Sequence, residues 1–174
     1  TAMAQIIHYW GYPTQGRGIH SYESNYGMLT VNYGSTNYDY TLMPDALTSA
    51  STSQEVEAVA TLMRDCGVAV NMGYSPMESS SFDQDARSAL INFCYFSPNL
   101  SFAEKAYFSD SEWDAMLHAD LDNNWPVYYS GGQGSGGHAF VCDGYNADGY
   151  YHFNFGWGGF ADGWFLTSSV TPSG

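Results

Sequence analysis

The hydrophobic periodicity of this chain changes once, at Pro126, and that change limits the folds open to it. Before Pro126, three stretches carry apolar residues at helical spacing behind capping patterns. Thr52-Ser53-Gln54-Glu55 is a capping-box pattern ahead of Val56, Val59, Ala60 and Met63, with a stop expected at Gly67. Ser81 with Gln84 opens a second helix carrying Ala86, Ala89, Leu90 and Phe93, and Ser109 with Glu112 opens a third carrying Trp113, Met116, Leu117 and Leu121. After Pro126 the pattern becomes alternating or continuously apolar, at 127–129, 138–144, 150–155 and 164–166, with turns expected at Asp148-Gly149 and Asp162-Gly163. Helices first and an antiparallel meander last predict an α+β fold, with the helices packed on one end or face of the sheet. No repeat or linker interrupts the 174 residues, a length that suits a single domain, 1–174.

The opening residues, Thr1 to Tyr9, read as a further helix, with Ala, Met and Ile on nearly every side and no charged face, as in buried helices. A chain starting inside such a helix would bring an α-ammonium group close to the core, and no Ser, Asp or Asn cap precedes the first turn. The expectation is that the natural polypeptide continues upstream. From Gly11 to about Ser49 the Gly-, Tyr- and Asn-rich sequence reads as loops and short strands such as MLTVNY.

Charge narrows the partners. Eighteen Asp and Glu against four Lys and Arg give a net charge of −14, and Arg17, Arg64, Arg87 and Lys105 are too few and scattered to bind a polyanion or an anionic membrane face. With 44% hydrophobic residues and 17% aromatics the chain has material for a core and is not a disordered acidic tail. No apolar run approaches the roughly 20 residues that span a bilayer. Cys66, Cys94 and Cys142 are odd in number and none lies in a C-x-x-C pair, so neither a disulfide framework nor a thiolate zinc site is expected. Asn146, Asp148 and Asp162 lack calcium-loop spacing and read as turn residues, so no metal or cofactor is expected.

Chemistry concentrates between Gly131 and Gly159. A glycine-rich segment, GGQGSGG, delivers His138 onto a strand, which pairs through an Asp-Gly hairpin with one ending in Asn154-Phe155-Gly156-Trp157-Gly158-Gly159. Glycines before a His permit close approach of a ligand to the backbone, and the segment is either a mobile flap or a plain surface loop. His138 is a general-base candidate beside an aromatic wall; the alternative is an edge-strand His next to a packed Trp. Cys142 lies four residues along the same strand, roughly 13 Å away at about 3.3 Å per residue, so it is no direct partner. Cys66 at a helix C-terminus and Cys94 in an apolar stretch read as small buried hydrophobes. His8 and His152 read as structural or exposed, and His20 and His118 show no partner.

The segments TAMAQIIHYWGYPTQG, VAVNMGYSPMESSSFDQDARSAL and WPVYYSGGQGSGGHAFVCDGYNADGYYHFNFGWGGFADGWF resemble the streptopain family of secreted bacterial cysteine peptidases, which are papain-like. The resemblance covers nearly the whole chain, and G-G-H-A-F-V-x-D-G followed by N-x-G-W-G-G is its most specific part. It implies a papain-like fold of two lobes, with a buried N-terminal helix, a helical half and a C-terminal antiparallel sheet. It implies that the nucleophilic Cys lies three residues upstream of Thr1, that His138 is the catalytic His, that Ser80 and Gly137 bind substrate and that Trp157 shields the imidazole. An N-terminal propeptide acting as intramolecular inhibitor, secretion and a role in virulence come with the family. Phe155 departs from it, standing where streptopain has Trp, which leaves open whether Asn154 or a backbone carbonyl orients the ring. The activity implied is endopeptidase cleavage of protein; the alternatives are a catalytically inactive homologue that binds peptide or protein, and an aromatic-rich carbohydrate-binding module built on the Tyr clusters at 22–40 and 145–151.

Overall fold

A computed structural model describes residues 1–133 and 136–170. The chain forms two compact units, one of Ile7–Phe102 and the other of Thr1–Ile6 with the chain from Ala103 onward. The first helix, α1 (Ala2–Trp10), begins in the second of these and runs into the first. Its apolar residues Ala2, Met3, Ala4, Ile6 and Ile7 are buried, as their spread around the helix predicts, whereas Thr1 itself is exposed.

In the Ile7–Phe102 unit, β1 (Ile19–Ser24) and β2 (Gly27–Asn32) pair as an antiparallel hairpin closed by two residues, and Gly27 has a φ of +99°, a conformation that favours glycine. Helix α2 (Ser53–Ala69) starts on the expected capping box: Glu55 N–H donates to Thr52 Oγ1 at 3.3 Å and Thr52 N–H donates to Glu55 Oε2 at 2.7 Å. It runs through Gly67 rather than stopping there. A Cβ at Gly67 would lie 2.0 Å from the Tyr74 hydroxyl, so the glycine serves close packing and not termination. The buried stripe also differs from the expected one: Val56 and Met63 are exposed, while Leu62, Asp65, Cys66 and Ala69 are buried. Asp65 stays in the interior because Tyr38 Oη donates to it at 2.8 Å and Arg64 pairs with it at 2.7 Å. Helix α3 (Asp83–Cys94) begins after Phe82, which makes no side-chain cap, so the Ser81 and Gln84 capping pattern is not used; Asp83 and Asp85 in the first turn complement the helix dipole instead.

In the other unit, α4 (Asp110–Leu121) opens on its capping box, with Glu112 N–H donating to Ser109 Oγ and Ser109 N–H to Glu112 Oε2. It packs on a four-stranded antiparallel sheet in the order β3 (Val127–Gln133), β4 (Gly136–Tyr145), β5 (Tyr151–Asn154) and β6 (Gly163–Phe165), the meander read from the sequence. The core joins Trp113 and Leu117 of α4 to Tyr129, Phe140, Cys142, Tyr151, Phe153 and Phe155. Trp113 Nε1 donates to Tyr129 Oη at 3.0 Å, satisfying the indole N–H inside that core. Asp148-Gly149 does form the β4–β5 turn, with Asn146 Oδ1 accepting from both Asp148 N–H and Tyr150 N–H. Asp162-Gly163 is not a turn: the chain reverses earlier, where Gly158, Gly159 and Ala161 take positive φ, and Gly163 already starts β6. Among the described residues no helix is long and apolar enough to cross a membrane.

Candidate active site

His138 is the third residue of β4 and pairs with Gly131 of β3. Most of the glycine-rich segment is therefore ladder rather than loop: Gly131, Gly132 and Gln133 oppose His138, Gly137 and Gly136 in register. Glycine still supplies its backbone donor and acceptor, so the strands continue beyond the last large side chains. The loop expectation is corrected for these positions, and Gly134 and Ser135 lie outside the described residues. Gly137 is exposed, and a Cβ there would meet only Gly131 O at 3.8 Å, ordinary van der Waals distance. Packing within the unit does not demand a glycine at 137.

The half-buried imidazole is held by main chain. His138 Nε2 lies 2.7 Å from the carbonyl oxygen of Phe155. A carbonyl only accepts, so Nε2 carries the proton and Nδ1 is the basic nitrogen of the neutral ring. This decides the open choice in favour of the backbone carbonyl over Asn154 as the group that orients the ring. Asn154 works one bond away: its Oδ1 accepts from Gly156 N–H at 2.9 Å, and that N–H belongs to the same peptide as the Phe155 carbonyl. The peptide on the other side of Phe155 is fixed by Asp162, whose Oδ1 accepts from Phe155 N–H at 2.8 Å. Both peptide planes flanking Phe155 are thus pinned by side chains.

Aromatic rings close the surroundings. The Trp157 ring centroid is 4.8 Å from that of His138, and Phe140 and Phe155 lie near-parallel to the imidazole at 6.0 and 6.3 Å. Phe155 is buried at 1% and stacks on the more exposed Trp157 at 5.5 Å. The Phe155 ring contributes to this wall, while the group that holds the imidazole is the main-chain carbonyl of the same residue.

The amino end of α1 reaches this corner. Gly156 has a φ of +74°, and a Cβ on it would lie 2.6 Å from Thr1 Cγ2, so Thr1 packs directly on the peptide that holds His138. Gln5, one turn on, donates from Nε2 to Asn154 Oδ1 at 2.8 Å.

The three thiols are buried. Burial pushes the Cys142 and Cys94 thiols each up to about 12 and raises Cys66 as well, so all three are neutral near pH 7 and poor nucleophiles. Cys142 sits four positions beyond His138 on β4, as read from the sequence. Ser80 belongs to the other unit, where it is exposed and bridges Gly73, accepting from Gly73 N–H at 2.8 Å. The remaining histidines have structural neighbours: His8 bonds Met43 O, His20 bonds Asn71 Oδ1 at 2.7 Å, His118 stacks on Tyr145 at 4.1 Å, and His152 meets Asp143 at 2.6 Å. The expectation that His20 and His118 lack partners is thereby corrected. Gln5 and Asp162 were missed as parts of the His138 surroundings: the first reads as one more residue of a buried helix, the second as a turn former.

Known proteins share this arrangement of elements. The chain is 34% identical to active wild-type interpain A cysteine protease of Prevotella intermedia, with a TM-score of 0.92 over 98% of this chain and 74% of that one. A mutant prointerpain A fragment from the same organism superposes with a TM-score of 0.88 at 33% identity, over 99% of this chain and 56% of that one. In sequence it is 35% identical over 175 residues to the thiol protease/hemagglutinin PrtT of Porphyromonas gingivalis and 30% identical over 181 residues to streptopain of Streptococcus pyogenes. Each alignment takes in 99% of this chain, but only 20% of PrtT and 46% of streptopain. The model of the peptidase C10 family matches residues 1–165. The α+β fold is that of interpain A, and the chain belongs to the peptidase C10 family.

Proposed function

We propose that this chain is the greater part of the catalytic domain of a secreted cysteine endopeptidase, with His138 as general base and acid and the nucleophilic Cys three residues before Thr1. The observation that carries the reading is the 2.7 Å bond from His138 Nε2 to the Phe155 carbonyl, which commits one ring nitrogen to orientation and leaves Nδ1 for proton transfer. The packing of Thr1 on Gly156 supports a nucleophile entering from the amino end of α1, where the helix dipole favours a thiolate. The buried, neutral thiols of Cys66, Cys94 and Cys142 do not compete for that role.

In this reading the Cys thiolate attacks the scissile carbonyl carbon, and the tetrahedral oxyanion forms. Collapse breaks the C–N bond as His138 Nδ1–H passes its proton to the leaving amine. Water, giving a proton to Nδ1, then attacks the thioester, and the thiolate departs to restore the ion pair. Gly137 would line the bound peptide, Trp157 would screen the imidazole from solvent, and an N-terminal propeptide would block the site before activation. The prointerpain relative supports such a precursor.

The test is a protein that includes the residues preceding Thr1, assayed on unfolded protein substrate. Activity should be blocked by thiol alkylators and abolished in a folded His138→Ala variant. Turnover retained by folded His138→Ala overturns the mechanism. A residue other than Cys three positions before Thr1 favours the inactive, peptide-binding homologue.

A further inference from the structure

Gln5 is buried enough to hide its side-chain oxygen, and Oε1 has no hydrogen-bond partner among the described residues. A Met or Leu would fill similar space without stranding an acceptor, so packing alone does not account for an amide here. What the amide adds is its Nε2 donor, which reaches Asn154 Oδ1 at 2.8 Å. The same oxygen accepts from Gly156 N–H at 2.9 Å, and the carbonyl of that peptide, Phe155 O, accepts from His138 Nε2 at 2.7 Å. A continuous run of hydrogen bonds and one rigid peptide plane therefore joins the first turns of α1 to the imidazole. Asn154 is the joint, and Gln5 fixes the rotamer of that joint. Thr1, packed on Gly156, immediately precedes the helix, one turn before Gln5, whose N–H donates to Thr1 O at 3.0 Å.

We infer that Gln5 is a positioning residue: through Asn154 it registers the amino end of α1 against the Phe155–Gly156 peptide, and so sets the separation between the His138 ring and a nucleophile carried just before that helix. This rests on the peptidase reading of His138 but concerns a residue that touches neither substrate nor the reacting atoms. Its effect is geometric. Without the Gln5 donor, Asn154 gains rotamer freedom, the peptide it clamps can rock, and the imidazole samples orientations in which Nδ1 is off line.

The experiment uses the protein with its upstream segment and the variants Gln5→Met, Asn154→Leu and the double variant, with Leu117→Ala in the same unit as a control for lost stability. Gln5→Met should lower kcat roughly ten- to a hundredfold with KM within about twofold. The double variant should lose no more than the worse single one, because both act through one joint. The ring 15N signals of His138 should move from the Nε2–H tautomer toward averaged values in Gln5→Met and stay in place in Leu117→Ala. If Gln5→Met fails to fold, Gln5→Glu, which sets an acceptor against Asn154 Oδ1 in the same volume, should show the same kcat loss and the same signal change. Wild-type kcat and unmoved imidazole signals in the folded Gln5 variant, or losses that multiply in the double variant, overturn the inference. Should the parent protein cleave no peptide, the peptidase reading fails, while the imidazole signals still decide whether Gln5 positions the ring.

Discussion

The carbonyl oxygen of Phe155 accepts a hydrogen bond from His138 Nε2 at 2.7 Å, so the orientation of the imidazole is set by a main-chain atom whose own side chain points into the aromatic core. The two roles of residue 155, acceptor and core filler, are separable because they reside in different atoms.

Phe155→Trp should therefore leave the His138 tautomer unchanged, while Phe155→Ala should destabilise the protein by about 3–5 kcal/mol through the cavity left at a position 1% exposed. Chemical denaturation and the 15N signals of the ring check both. A tautomer change in Phe155→Trp with folding intact would show that the side chain, not the carbonyl, governs the ring.

Two glycines beside the ring should respond in opposite ways to alanine. Gly156→Ala meets Thr1 at 2.6 Å and must hold a φ of +74°, which alone costs about 1–2 kcal/mol, so it should lower the melting temperature and disturb His138. Gly137→Ala meets nothing closer than 3.8 Å and should melt like the parent; a raised KM in the active protein would then report substrate approach at that exposed strand. Equal melting temperatures for the two variants would contradict the packing of Thr1 on Gly156.

The capping box of α4 gives a pH dependence. The Ser109 hydroxyl and then the Ser109 backbone N–H, both donating to the Glu112 carboxylate, hold its pKa below the usual value. A depressed carboxylate stabilises the fold above its unfolded pKa of about 4.3, and that contribution disappears as pH falls through the lower folded value. Glu112→Gln should thus melt below the parent at neutral pH and converge with it as the pH falls through the depressed folded value. A gap that persists undiminished in acid would show that the cap does not depend on charge.

Alkali should act through the buried thiols. Desolvation raises Cys142 to about 12, whereas the unfolded chain ionises its thiols near 8.5. Between these values the unfolded state loses a proton that the folded state keeps, so stability falls with rising pH by up to about 1.4 kcal/mol per unit for each such thiol. Cys142→Ala should flatten the slope by one proton between pH 9 and 11, measured by urea unfolding. An unchanged slope would mean that this thiol ionises in the folded protein.

Much of the fold was legible because its signals are local. Alternation after Pro126 marked the meander, and Ser109 with Glu112 marked the start of α4. The misreadings share a cause in tertiary contact. Gly67 looked like a helix stop because nothing in the sequence announces Tyr74 packing against it. The buried face of α2 was displaced because Asp65, a residue that normally faces water, is carried inward by Tyr38. At the site, His138 and Trp157 stood out by type and by family resemblance, and the structure brings their rings together. Gln5 and Asp162 carry no such mark: their partners are 149 and 7 residues away, and only folding brings Nε2 to Asn154 or a carboxylate to Phe155 N–H.

Because the ring answers to a backbone oxygen, no substitution at 155 itself can delete its anchor. Every amino acid substituted at 155 brings an identical carbonyl, so losing the anchor demands rerouting the chain itself, by insertion, deletion or a broken clamp around it. Side-chain changes at 155 can thus rewrite the aromatic surroundings of the histidine while the atom that steers it stays the same.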